Sequence, residues 1–157
     1  IIKIVSNVKT ILFVCTGNTC RSVMAEGLMK EMVKGRDDIR VLSAGILAIP
    51  GFGPSKNTIE ACNKEGVDIS KHITHNLIEE LIKESDIILV MEKIHKDYIL
   101  DKWADCKDKV FLLSEYGKVS LPGEDNDIRD PIGQPIEVYQ SCLNQIKESL
   151  GMVLKSL

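Results

Sequence analysis

Residues 15–22 read Cys-Thr-Gly-Asn-Thr-Cys-Arg-Ser, so that a cysteine and an arginine stand on either side of five residues. A thiolate is a strong nucleophile, and a guanidinium offers a planar fork that takes two oxygens of a tetrahedral oxyanion. Five intervening residues let the backbone curl until successive N–H groups face one centre. A helix opening at the arginine would add roughly half a positive charge there. Thr16, Gly17, Asn18, Thr19, Cys20, Arg21 and Ser22 are therefore candidate phosphate-binding residues. Gly17 can take the positive φ such a turn needs, and Asn18 tolerates it better than most residues. The same surroundings favour the thiolate of Cys15, making it the candidate nucleophile and Arg21 the clamp on the transferred phosphoryl group. The competing reading is a small buried cysteine at a strand end beside an arginine that merely opens a helix. A nucleotide loop is disfavoured because G-x-x-x-x-G-K-[ST] is absent, and a zinc site because Cys15 and Cys20 have no second pair.

Transfer to cysteine also requires a proton donor for the leaving group and a base for water, and one carboxyl on a neighbouring loop serves both. Asp130 is the candidate. Pro131 biases it toward extended backbone, and Gly133 lets the chain turn back. The alternative is that Glu124, Asp125, Asp127 and Asp130 form a solvated acidic loop. No cofactor and no metal is expected in the reaction, so hydrolysis should be insensitive to EDTA.

Positioning these groups requires a strand that ends at Cys15 and a helix that starts beside Arg21. Apolar runs rich in β-branched residues predict strands over 9–14, 39–43, 86–91 and 109–113. Helical periodicity predicts helices over 22–34 (Met24, Leu28 and Met32 on one face), 55–65, 77–84, 94–103 and 136–157. The apolar stripe of the last is read as Val138, Cys142, Ile146, Leu150 and Val153. Strand and helix alternate, so the expectation is a single doubly wound α/β domain over 1–157, with a four-stranded parallel sheet flanked by helices. Residues 1–8 are set aside as a candidate irregular extension. Ligands in such sheets bind beyond the carboxyl ends of the strands, which is where Cys15 falls. The loop 123–135, the longest polar stretch punctuated by Gly and Pro, leads into the last helix.

With 44% hydrophobic and 27% charged residues, the composition is that of a soluble globular chain. A net charge of −3 gives no footprint for nucleic acid or anionic lipid, so an anion must be held locally. Five scattered cysteines favour a reducing compartment over a disulfide framework. No apolar stretch is long enough for a membrane span, and the N-terminal one is interrupted by polar residues. The expectation is a cytoplasmic monomer that meets a phosphorylated protein, not nucleic acid or membrane.

The segment VCTGNTCRS resembles the signature V-C-x-G-N-x-C-R-S of the low molecular weight protein tyrosine phosphatases, with Val14, Cys15, Gly17, Asn18, Cys20, Arg21 and Ser22 at its fixed positions. The likeness extends to Ser43-Ala44-Gly45 and to Asp130-Pro131, covering nearly the whole chain. It implies Cys15 as nucleophile, Arg21 as phosphate clamp and Asp130 as general acid. It also implies Cys20 as a reversible disulfide partner for Cys15, and Asn18, Ser22, Ser43 and His72 as a hydrogen-bonded brace for the loop. His75 and His95 are given no role.

Substrate choice is read from two positions. Tyrosine-specific members resemble one another in a bulky aliphatic residue where this chain has Thr19, and in aromatic residues after Asp-Pro where it has Ile132. This chain is more similar to the bacterial protein arginine phosphatase branch, and compact, polar Thr19 suits a guanidinium better than a ring. Phosphoarginine is favoured, with phosphotyrosine second. Three other readings stay open: an arsenate reductase, which would need two relay cysteines close together; a cysteine phosphocarrier of the sugar-transport type; and a phosphate-binding module without turnover.

Overall fold

Nearly continuous apolar runs belong in strands covered on both faces, and residues 11–14 and 87–90, buried throughout, are of that kind. The structure, a computed structural model, describes residues 7–123 and 125–157. Its elements in chain order are β1 (Lys9–Cys15), α1 (Arg21–Met32), β2 (Ile39–Gly45), α2 (Lys56–Lys64), α3 (Glu79–Glu84), β3 (Ile87–Val90), α4 (Lys93–Lys102), β4 (Val110–Leu112), α5 (Leu113–Tyr116) and α6 (Ile136–Lys155). All pairings are parallel, in the order β2-β1-β3-β4. The doubly wound α/β expectation holds. Of the candidate irregular extension, residues 1–6 lie outside the described residues.

Side chains alternate across β1, and each face has its own core. Ile11, Phe13 and Cys15 join Met24, Leu28, Ile146 and Leu150 on the side of α1 and α6. Leu12 and Val14 join Leu77, Ile82, Ile99 and Leu112 on the side of α3 and α4. The chain runs from β1 to one neighbour and later returns to the other, so the end of β1 lies at the switch in strand order, where such sheets open a crevice. Among the described residues no helix is long and apolar enough to cross a membrane.

The structure departs from the sequence reading at particular places. The helix expected from residue 77 begins at Glu79, because Leu77 donates its N–H to the Gly45 carbonyl at 2.9 Å and Asn76 pairs with Gly45 as an isolated parallel bridge. Val138 is 39% exposed at the edge of α6, whose buried face instead includes Tyr139 and Leu143. Short α5 and a 3-10 turn over Ala104–Lys109 were not expected from periodicity, being too short to show any. Ser55, expected as the first residue of a helix, is the N-cap of α2, accepting from Thr58 N at 3.3 Å.

Candidate active site

Cys15 is the last residue of β1 and Arg21 the first of α1, and both are almost fully buried. The loop between them is held by its neighbours at several points. Ile46 donates its backbone N–H to the Cys15 carbonyl at 3.0 Å, Leu47 to Thr16 O at 2.9 Å and Ser55 to Thr19 O at 3.1 Å. Among the described residues, the amides of Gly17, Asn18, Thr19 and Cys20 donate to no protein acceptor. The loop therefore keeps its donors for an anion, as a backbone nest requires.

The left-handed residue of the turn is Asn18, with φ of 57°, rather than Gly17. Its fully buried side chain supplies the reason. Nδ2 donates to Ser22 Oγ at 2.8 Å and to Ser43 Oγ at 2.9 Å, while Oδ1 accepts from the His75 backbone N–H at 2.9 Å. His72 Nε2 lies 3.1 Å from the Asn18 carbonyl and 3.2 Å from Oδ1, so it carries the ring proton and donates. Burial lowers the His72 pKa despite the opposing charge of Glu26, which favours the neutral ring. Ser43 in turn donates to Glu26. The structure thus brings together all four expected bracing residues.

Ser22 Oγ also lies 2.9 Å from Cys15 Sγ, placing a hydroxyl where it can donate to a thiolate. Arg21 is fixed from two sides: Nη1 donates to the Glu92 carboxylate and, at 2.8 Å, to the Ile128 carbonyl. Its Nη2 lies 3.5 Å from Asp130 Oδ2. Burial works against the buried guanidinium, but Cys15, Glu92 and Asp130 outweigh it and raise its pKa. Asp130 is exposed, and its Oδ1 accepts from Ile132 N at 3.1 Å, so the carboxylate stands at the mouth with its backbone turn closed.

Asp130 reaches the site because the acid loop is pinned just before it. Ile128 is fully buried and donates its N–H to Met91 O at 2.8 Å, and Asp127 Oδ1 accepts from Lys93 N at 2.7 Å. Asp125 pairs with Arg129 at the surface. Asp130, though exposed like Asp125, differs from the rest of this acidic segment in lying 3.5 Å from the buried Arg21 guanidinium.

Four residues that matter here were not found from sequence: Glu92, His95, Ile128 and Gly45. A Cβ on Gly45 would lie 2.5 Å from Thr16 O and 2.8 Å from Asn18 N, so the phosphate loop can sit against β2 only because that residue is glycine. Its signal was present in Ser43-Ala44-Gly45, but as a likeness and not as a packing argument. His95 gave no signal beyond being a histidine early in a helix.

Cys20 lies 3.3 Å from Ser55 Oγ, and all five cysteines are free thiols. Burial pushes Cys62 and Cys142 up to about 12, conditions under which a thiol stays protonated and inert. Beside the phosphate loop, a recess of about 330 Å³ is lined by Gly17, Thr19, Leu47, Ile49, Phe52 and their neighbours. Ile132, on the acid loop, is 65% exposed.

Residues 10–157 match the family described as low molecular weight phosphotyrosine protein phosphatase. A protein-arginine-phosphatase of Bacillus subtilis is 36% identical over 148 residues, which is 94% of this chain and 95% of that protein. The structure of the arginine phosphatase YwlE, as a serine-for-cysteine mutant with a phosphorylated active-site serine, aligns with a TM-score of 0.85. It is 35% identical, over 94% of this chain and 95% of that one. A low molecular weight protein tyrosine phosphatase from T. tengcongensis aligns with a TM-score of 0.87 at 36% identity, over 95% of this chain and 99% of that one. Cysteine, arginine and acid on this frame, together with these likenesses, lead to one conclusion: the chain belongs to the low molecular weight phosphotyrosine protein phosphatase family.

Proposed function

We propose that the chain hydrolyses phosphoarginine on proteins, with phosphotyrosine as a second substrate, through a phosphocysteine on Cys15. The observation that carries the mechanism is the buried Arg21 guanidinium, fixed by Glu92 and Ile128 and reaching Asp130 at 3.5 Å beside the Cys15 loop. In the first step the Cys15 thiolate attacks phosphorus, the bond to the leaving nitrogen or oxygen breaks, and Asp130 delivers a proton to that atom. The free loop amides and Arg21 stabilise the charge spread over the equatorial oxygens. In the second step Asp130, now a carboxylate, takes a proton from water as it attacks phosphorus, and the sulfur leaves as a thiolate stabilised by the Ser22 hydroxyl. Cys20 serves as the reversible disulfide partner of Cys15. The chain works as a monomer in the cytoplasm, a reducing compartment that suits its five scattered cysteines.

The preference for phosphoarginine rests on Thr19, which gives the recess a short polar edge, and on Ile132, which offers no ring for stacking. Relatives bearing the arginine-phosphatase name add support. Steady-state hydrolysis of phosphoarginine and phosphotyrosine peptides by wild type and Thr19→Ile tests this reading. Wild type should favour phosphoarginine, and the variant should move toward phosphotyrosine by about 10-fold. A wild-type preference for phosphotyrosine would overturn the substrate assignment and leave the mechanism standing.

A further inference from the structure

The start of α4 touches the phosphate loop at both of its ends. Glu92, which precedes the helix, pairs its carboxylate with Arg21 Nη1 and donates its backbone N–H to His95 Nδ1 at 3.0 Å. His95 Nε2 lies 2.9 Å from Thr16 Oγ1. A backbone amide can only donate, so Nδ1 accepts and the neutral ring carries its proton on Nε2. His95 therefore donates to the Thr16 hydroxyl, next to the nucleophile. Burial first, and the Arg21 charge second, lower the pKa of this fully buried ring to about 3. It stays a neutral donor at working pH rather than a general acid.

The bland account is a core histidine that closes its own helix turn, with Thr16 an incidental neighbour. Two features weigh against it. The ring reaches across 79 positions to the residue after Cys15, and the residue that orients it also holds Arg21 across 71 positions. Thr16 and Arg21 are the two ends of the cradle, and one helix end grips both.

We propose that His95 is a positioning residue: with Glu92 it clamps Thr16 and Arg21 from the start of α4, so that the helix sets the spacing between the Cys15 end of the loop and the guanidinium. The inference rests on the phosphocysteine reading. Loosening the clamp should misplace donors that matter most in the transition state, lowering kcat while KM changes little.

The test is a double-mutant cycle between Thr16→Val, which keeps the backbone N–H and removes the hydroxyl, and His95→Phe, which removes both ring nitrogens. His95→Gln is the conservative variant, its amide nitrogen standing where Nε2 stands. Each single change should lower kcat by about 10-fold or more, with KM within about 3-fold. The double variant should be no worse than the poorer single one, and Gln should restore most of the loss. Effects that multiply, or a Gln variant no better than Phe, would overturn the clamp. If His95→Phe fails to fold, Thr16→Val decides alone, and an unchanged kcat overturns the proposal. Wild-type protein that hydrolyses neither substrate would sink the phosphatase reading and the clamp together, whereas wild-type turnover with an unaffected Thr16→Val sinks only the clamp.

Discussion

The floor of the site and its rim are built on opposite principles. On the floor, Cys15, Asn18, Arg21, Ser22 and Ser43 are buried polar or nucleophilic groups, each with named hydrogen-bond partners. At the rim, Leu47, Ile49, Phe52 and Ile132 are large apolar side chains left 60–68% exposed. Buried polar groups are costly unless satisfied, so a satisfied network has one geometry and little freedom to drift. Exposed side chains can be exchanged at small cost in stability. On the proposed function, phosphoryl chemistry belongs to the rigid floor and choice of the phosphorylated group to the exchangeable rim.

Breaking the floor should produce the largest effects. Cys15→Ser should lower turnover by about 10⁴-fold or more while the chain still folds, since the change removes a nucleophile and little volume. Single-turnover assays and a thermal melt on the same sample would check both halves. Asp130→Asn should lower kcat by about 10²- to 10³-fold on poor leaving groups, with a smaller loss on an aryl phosphate whose leaving group needs no proton. A loss independent of leaving group would remove Asp130 from the role of acid.

The brace is the next place to apply pressure. Gly45→Ala should destabilise the fold by about 2 kcal/mol and lower kcat as well, because the added methyl meets loop backbone that the brace holds in place. Chemical denaturation alongside kinetics would separate the two effects. A stable, fully active alanine variant would mean that the loop has slack which the floor should not possess.

Much of this was legible in the sequence. Cys15 and Arg21 lie close in the chain, and a strand, a loop and a helix bring them together through local geometry alone. Asp130 stood out as a candidate because Asp-Pro sits in the longest polar loop and matches the family likeness, and its carboxylate lies 3.5 Å from Arg21 Nη2. What escaped reading was convergence from afar. Glu92 meets Arg21 across 71 positions and Ile128 meets it across 107, and nothing in Met-Glu-Lys-Ile-His distinguishes an ordinary helix start from one that grips an active site. Gly45 was missed as a packing element for the same reason, since the atoms its Cβ would strike belong to the other loop. Val138 misled because periodicity locates an apolar face only to within a residue at its edge.

Acid should weaken the floor as well, through a proton on a buried ring rather than a change of side chain. His95 is held near 3 in the folded chain, against about 6.5 in an unfolded one. The unfolded state therefore binds the extra proton between those values. Stability attributable to this group is unaffected above pH ~6.5 and falls as pH drops from there toward 3, by at most about 1.4 kcal/mol per pH unit. His72, also lowered by burial, acts in the same direction. Melting temperature against pH for wild type and His95→Gln would show this as a shallower acid limb in the variant.

On the proposed mechanism, phosphate passes through sulfur on the floor of the site. Rapid quenching of Asp130→Asn protein during turnover of an aryl phosphate, followed by peptide mass spectrometry under conditions that preserve thiophosphates, tests it most directly. A transient phosphate adduct on Cys15 that decays as product forms is the expected result. An adduct on another residue, or sustained turnover with no covalent adduct on Cys15 at any quench time, would contradict it.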